Sequence, residues 1–264
     1  MKRWSVDCKA TVKIGDFSRG GQSRGDHRAL DHDLGWEEKY TPCGIVDEDN
    51  AELDLSFGSS YKTSDFIVDS LEAKWNGLEE QEQAEVSKLQ IKMDNGPESS
   101  GRRTQFLYRM VQFADTIGKP IQLLYYPPYH SKYNPIERCW GILEQHWNGT
   151  KLIDAETMLE WAKSMTWKGV HPVVKLSRQV YQKGIRLSKK AMAAVEALAA
   201  AYGSRLRHVH IHDNKGGSAD LHLPGRKAED RWRFGKAPLQ NALYEQIQDH
   251  TASDTGTYGP LQFL

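Results

Sequence analysis

Apolar and polar positions alternate at the start of the chain. Trp4, Val6 and Cys8 fall on one parity and Ser5, Asp7 and Lys9 on the other, the two-residue period of a β-strand across Arg3 to Ile14. From Gly15 to Pro42 no period survives. This stretch holds Gly15, Gly20, Gly21, Gly25 and Gly35 with Arg19, Arg24 and Arg28, and reads as a long loop of the kind that serves function in a compact domain. Gly44 to Asp47 and Glu52 to Phe57 are predicted as two strands of a hairpin around an Asp49-Asn50 turn.

A helical period follows, with Phe66, Ile67, Ser70, Leu71 and Trp75 on one side and Thr63 or Ser64 as the N-cap. The acidic run Glu79 to Glu85 is expected as a linker. Lys88 to Met93 alternates again, with Leu89, Ile91 and Met93 on one face, and runs into Asp94. Thr104 to Ile117 carries the stripe Phe106, Met110, Phe113 and Ile117 of an amphipathic helix, stopped by Gly118 and Pro120. Ile121 to Tyr126 is a short strand, and Asn134 to Trp147 a helix ended by Gly149. Strand, strand, strand, helix, strand, helix, strand, helix predicts an α/β domain over residues 1–150, a mixed sheet flanked by helices.

After residue 150 the pattern changes. Asp154 to Met165 and Ser188 to Tyr202 read as helices, so residues 151–204 are expected to form a helical C-terminal extension. Residues 205–264 are expected as an irregular tail, locally basic through Arg205, Arg207, Arg226, Lys227, Arg231, Arg233 and Lys236. Within it His208, His210 and His212 alternate around Val209 and Ile211, but no Cys or carboxylate pattern nearby completes a zinc site.

Composition narrows the class. The chain has 264 residues, 39% hydrophobic and 27% charged, which fits a folded domain rather than a disordered or fibrous chain. Thirty-five basic residues balance thirty-five acidic ones, so the formal charge is zero. No apolar run approaches the roughly 20 residues that span a bilayer. Met1-Lys2-Arg3-Trp4 leads into strand sequence without a charged-then-apolar leader, and a cytoplasmic location is expected. Cys8, Cys43 and Cys139 are odd in number and far apart, which excludes a paired disulfide framework.

Three carboxylates stand where element ends or helix rims could turn them to one site. Asp7 lies on the polar parity of the first strand. Asp94 closes the strand from Lys88 and precedes the turn sequence Asn95-Gly96-Pro97-Glu98. Glu137 lies in the first turn of the Asn134 helix, at the rim of the stripe Ile136, Trp140, Leu143 and Trp147. Oxygen donors of this kind suit Mg²⁺. Each also has an ordinary reading: an exposed strand acid, a turn residue, and the third residue of a capping box after Asn134-Pro135. Glu144, two turns after Glu137, and Glu98, four residues after Asp94, are rival third acids. Asp31-His32-Asp33 reads as turn-forming. Arg19, Arg24, Arg28, Arg102, Arg103, His130 and Lys132 are candidate phosphate contacts; Trp36, Tyr125, Tyr126 and Tyr129 are weighed as base-stacking rings against ordinary burial.

Literal motifs join these acids. Trp4-Ser5-Val6-Asp7 with Phe17-Ser18-Arg19-Gly20-Gly21, Met93-Asp94-Asn95-Gly96-Pro97-Glu98, and the run Tyr126-Pro127-Pro128-Tyr129-His130-Ser131-Lys132-Tyr133-Asn134-Pro135-Ile136-Glu137 resemble the three acidic motifs of DDE transposases. The resemblance is to the Rhodopirellula-type group of bacterial insertion-sequence transposases, and it extends through Glu137-Arg138-Cys139-Trp140-Gly141 and Thr166-Trp167-Lys168-Gly169, covering roughly residues 3–200. Eighty-six residues lie between Asp7 and Asp94 and forty-two between Asp94 and Glu137, a spacing that suits a ribonuclease H-like core.

The resemblance implies cleavage and strand transfer of transposon-end DNA by two Mg²⁺ or Mn²⁺ ions, with Asp7 bridging both and Asp94 and Glu137 each completing one shell. It implies DNA as partner, both transposon ends and target, and a homo-oligomer on DNA, with no membrane. Related proteins resemble longer chains with a helix-turn-helix region ahead of the catalytic core, so a chain truncated before that core, as in a decayed insertion sequence, is expected; zero net charge agrees with it. A structure-selective nuclease of the same fold, or a non-catalytic DNA- or partner-binding remnant, are the alternatives.

Overall fold

A computed structural model describes residues 1–17, 19, 38–101, 103–126, 133–185, 187, 188, 190, 193 and 206–210. The strands are β1 (Lys2–Cys8), β2 (Val12–Lys13), β3 (Lys39–Asp47), β4 (Leu53–Gly58), β5 (Leu89–Asp94), β6 (Ile121–Tyr126), β7 (Val173–Ser177) and β8 (Leu206–His210). The helices are α1 (Ser64–Trp75), α2 (Glu80–Glu85), α3 (Thr104–Ile117), α4 (Pro135–Trp147) and α5 (Ala155–Ser164). The sheet runs β7-β4-β3-β1-β5-β6-β8, with β2 pairing β3 beside that path. β3 is antiparallel to both of its neighbours, β1 and β4, whereas β5 and β6 continue from β1 in parallel. The result is the α/β mixed sheet flanked by helices that the periodicity predicts.

Each face of the sheet is covered. Trp4, Val6, Ile45, Ile91 and Leu123 pack with Phe66 and Leu71 of α1 and Phe106, Met110 and Phe113 of α3. On the other face Val46, Leu55 and Phe57 pack with Ile136, Trp140, Leu143 and Trp147 of α4 and Met158 of α5. Each such side chain contributes about 1.5–3 kcal/mol by leaving water. Helix ends follow their sequence signals. Thr63 accepts from the Phe66 amide at α1, Asp154 accepts from the Thr157 amide at α5, and Gly118 closes α3 in the left-handed region.

Five elements differ from the periodic reading. The strand expected over Arg3 to Ile14 is two, β1 and β2, with β2 pairing β3. β3 reaches back to Lys39, inside the expected loop, because Pro42 keeps a usable carbonyl that accepts from the Lys9 amide at 3.0 Å. The acidic linker is the short helix α2, which buries none of its residues and gains a Gln81 to Glu85 side-chain bond. Residues 151–204, expected as helical, supply α5 and also β7, which pairs with β4 in parallel at a sheet edge. Leu206–His210, expected within the irregular tail, pairs with β6 as β8. The helix expected over Ser188 to Tyr202 lies mostly outside the described residues.

Candidate active site

The register of the parallel strands sets the first two acids side by side. β1 and β5 pair up to Val6↔Met93, so the next residue of each strand is Asp7 and Asp94, at the C-terminal ends where ligands of parallel segments gather. Their parity is that of Ser5 and Lys92. Ser5 is fully buried, so at this position the polar parity of β1 is turned to α4.

α4 brings the third acid. Its N-cap residue, Asn134, makes no side-chain cap bond. Instead the Ser5 hydroxyl donates to Asn134 Oδ1, and Asn134 Nδ2 donates to the Val6 carbonyl at 3.3 Å. These bonds fix the first turn of α4 to β1 beside Asp7. One turn on, Trp140 Nε1 donates to Asp7 Oδ2 at 2.9 Å.

The electrostatics couple all three acids. Burial, then the charge of Asp7, raises the Asp94 carboxyl above its usual range, with Lys62 pulling the other way. Burial, then the charges of Asp7 and Asp94, raises Glu137, opposed by Lys9. No described residue forms a hydrogen bond or ion pair with the Asp94 or Glu137 carboxylate. The rivals are engaged elsewhere: Glu144 pairs with Lys9 at 3.1 Å and Arg19 at 3.4 Å, and Glu98 with Lys62 at 3.8 Å.

A hard divalent cation suits this donor set, which is all carboxylate, partly desolvated and short of positive charge. Among the described residues no three His, Cys, Asp or Glu side chains close on a single point as one ion's shell would require.

The other sequence candidates are placed as follows. Arg19 is only 14% exposed, stacks on the Trp147 ring at 5.0 Å and reaches Glu144, so its guanidinium is held within the protein. Arg103 stands at the N-cap of α3, and its Nε is buried without a partner among the described residues. Tyr125 is buried and donates to the Ser99 carbonyl at 2.7 Å, whereas Tyr126 sits beside Asp94 in the β5–β6 register. Arg24, Arg28, Arg102, His130 and Lys132 lie outside the described residues, as do Asp31-His32-Asp33, Trp36, Tyr129 and His212. Sequence periodicity passed over Asn134, Trp140 and Gly44 as site residues; the signal available was that Trp140 follows Glu137 by three, one helical turn.

No described helix is long and apolar enough to cross a membrane. A search of curated proteins gives no match. Among solved structures, the Mos1 transposase paired-end complex with left transposon end is similar at 12% identity and a TM-score of 0.43. That similarity covers 60% of this chain and 46% of the other, less than half its length. Residues 1–205 match the family described as the Rhodopirellula transposase DDE domain, and this chain belongs to that family.

Proposed function

We propose that the chain is a DNA transposase catalytic core whose catalytic and metal-holding residues are Asp7, Asp94 and Glu137, cutting transposon-end DNA and joining it to a target with two Mg²⁺ or Mn²⁺ ions. The observation that carries this reading is that the charge of Asp7 acts on Asp94 and the charges of Asp7 and Asp94 act on Glu137, carboxylates from three separate elements, with Asp94 and Glu137 lacking a hydrogen-bond or ion-pair partner among the described residues. Asp7, whose charge acts on both Asp94 and Glu137, is the residue that would touch both ions. Asp94 and Glu137 would each hold one. Bound ions would supply an activated oxygen nucleophile and stabilise the leaving oxygen.

The residues of the chain do the rest. β1 and β5 hold Asp7 and Asp94 on rigid strands, and α4 carries Glu137 to them. Lys9 and Lys62, each close enough to act on one acid, are placed to meet phosphate charge. Arg24, Arg28, Arg102, Arg103, His130 and Lys132 are the proposed backbone contacts, with a homo-oligomer assembled on the two ends. The 1–150 core, the 151–204 extension and the 205–264 tail are the proposed functional divisions.

The test is cleavage and strand transfer on DNA from the ends of the element that carries the gene. Asp94→Asn and Glu137→Gln should abolish Mg²⁺-dependent cutting while both proteins stay folded. Undiminished cutting by either variant would remove that acid from the site. Cutting without joining would identify a nuclease.

A further inference from the structure

We infer that Trp140 is a positioning residue whose indole N–H fixes the Asp7 carboxylate for divalent cations; this rests on the metal-site reading above. The bond runs from Trp140 Nε1 to Asp7 Oδ2 at 2.9 Å and links residues 133 apart in sequence. Bonds from a neutral donor to a carboxylate are charge-assisted and directional, so this one restrains rotation of the Asp7 carboxyl.

Ordinary burial does not account for it. The indole N–H groups of Trp4, Trp147 and Trp167, all buried, find no partner among the described residues. Trp140 is set apart from these three buried indoles in that its N–H meets an acid of the proposed site.

The surroundings are built around the same contact. Gly44 is the residue opposite Asp7 in the β1–β3 register, and the Trp140 ring lies where a Cβ on Gly44 would stand, 2.6 Å from Trp140 Cη2. Trp140 also lies one turn after Glu137, so a single helix presents one acid and orients another. Groups that hold a metal-ligating side chain from behind typically change metal affinity or activity 10–100-fold when removed.

Two replacements separate orientation from packing. Trp140→Phe removes the N–H with part of the ring, and 3-benzothienylalanine at position 140 removes the N–H while keeping the bicyclic shape. The readouts are the Mg²⁺ and Mn²⁺ concentrations giving half-maximal thermal stabilisation of the DNA-free protein, and the half-saturating Mg²⁺ for cleavage. The benzothienyl protein should melt like wild type without metal, yet need about 10-fold more divalent ion in both measurements; Trp140→Phe should show at least the same shift. An unchanged half-saturation in the benzothienyl protein, with wild-type stabilisation by Mg²⁺ intact and Asp94→Asn losing it, overturns this inference alone. Wild-type protein with no divalent response overturns the metal-site reading and this inference with it.

Discussion

Gly44 faces Asp7 across the β1–β3 ladder, and a Cβ there would lie 2.5 Å from Ile136 Cδ1. The absence of a side chain on β3 is what lets α4 settle onto the strand that carries Asp7. Glu137, the residue after Ile136, lies on the same first turn, where the charges of Asp7 and Asp94 act on it.

Gly44→Ala should therefore push α4 outward, since its close neighbours are Ile136 and the rigid Trp140 ring and neither is the free end of a flexible chain. Overpacking of this kind costs about 1–3 kcal/mol, read as a lower urea midpoint, and cleavage should fall further than stability does. Gly141, exposed on α4 with open space where its Cβ would be, is the control. Gly141→Ala should stabilise by up to about 1 kcal/mol through helix propensity alone. Equal effects from the two substitutions would contradict the close docking of α4.

Much of this arrangement was readable along the chain because its periods are clean. α3 and β6 begin and end where their stripes do, at Thr104–Ile117 and Ile121–Tyr126, and the polar parity of Asp7 and the strand-end position of Asp94 follow from two-residue alternation, whereas the end of β1 at Cys8 does not. β3 was obscured at Pro42, which reads as a strand breaker but needs only its carbonyl here. β7 is a five-residue edge strand, partly exposed throughout, so burial leaves no strong imprint on its sequence. The pairing of Gly44 with Trp140, and of Trp140 with Asp7, depends on the β1–β3 register and on the approach of a helix more than 90 residues away. No local period encodes such a contact.

The clustering of the acids carries a stability cost that a substitution can expose. Asp94 is half-buried, its carboxyl raised by burial and then by the Asp7 charge, and charge repulsion of this kind is what divalent ions relieve. In metal-free buffer at neutral pH, Asp94→Asn should raise the melting temperature by about 2–4 °C, the response expected for about 1 kcal/mol in a domain of this size. Mg²⁺ at about 100 times its dissociation constant should stabilise wild type by about 2.7 kcal/mol and the variant by much less. A metal-free variant that melts below wild type would show that Asp94 is a structural acid, held by its surroundings rather than strained by its neighbours.

Asp49 should respond to pH in the opposite sense from the site acids. Its carboxylate receives the Arg3 backbone amide at 2.8 Å and the Arg3 side chain at Nε, also 2.8 Å. Burial pushes this carboxyl up, but the side-chain and backbone bonds from Arg3 outweigh it, so the net shift is downward from 3.8. A carboxylate held below its unfolded value contributes stability above pH 3.8 and loses it as pH falls through the folded value. Asp94 and Glu137, raised in the folded state, contribute most at low pH and lose that contribution as pH rises through their folded values. The acid limb of wild-type stability is thus a difference of opposed effects, and Asp49→Asn isolates one of them. Arg3 is 42% exposed, which limits the pair to about 1 kcal/mol or less and makes it salt-sensitive. Urea denaturation should show Asp49→Asn weaker than wild type at pH 7 and equal to it near pH 2, with the gap narrowing in 1 M NaCl. A gap that persists undiminished at pH 2 would mean that Asp49 acts through the hairpin turn rather than through its charge.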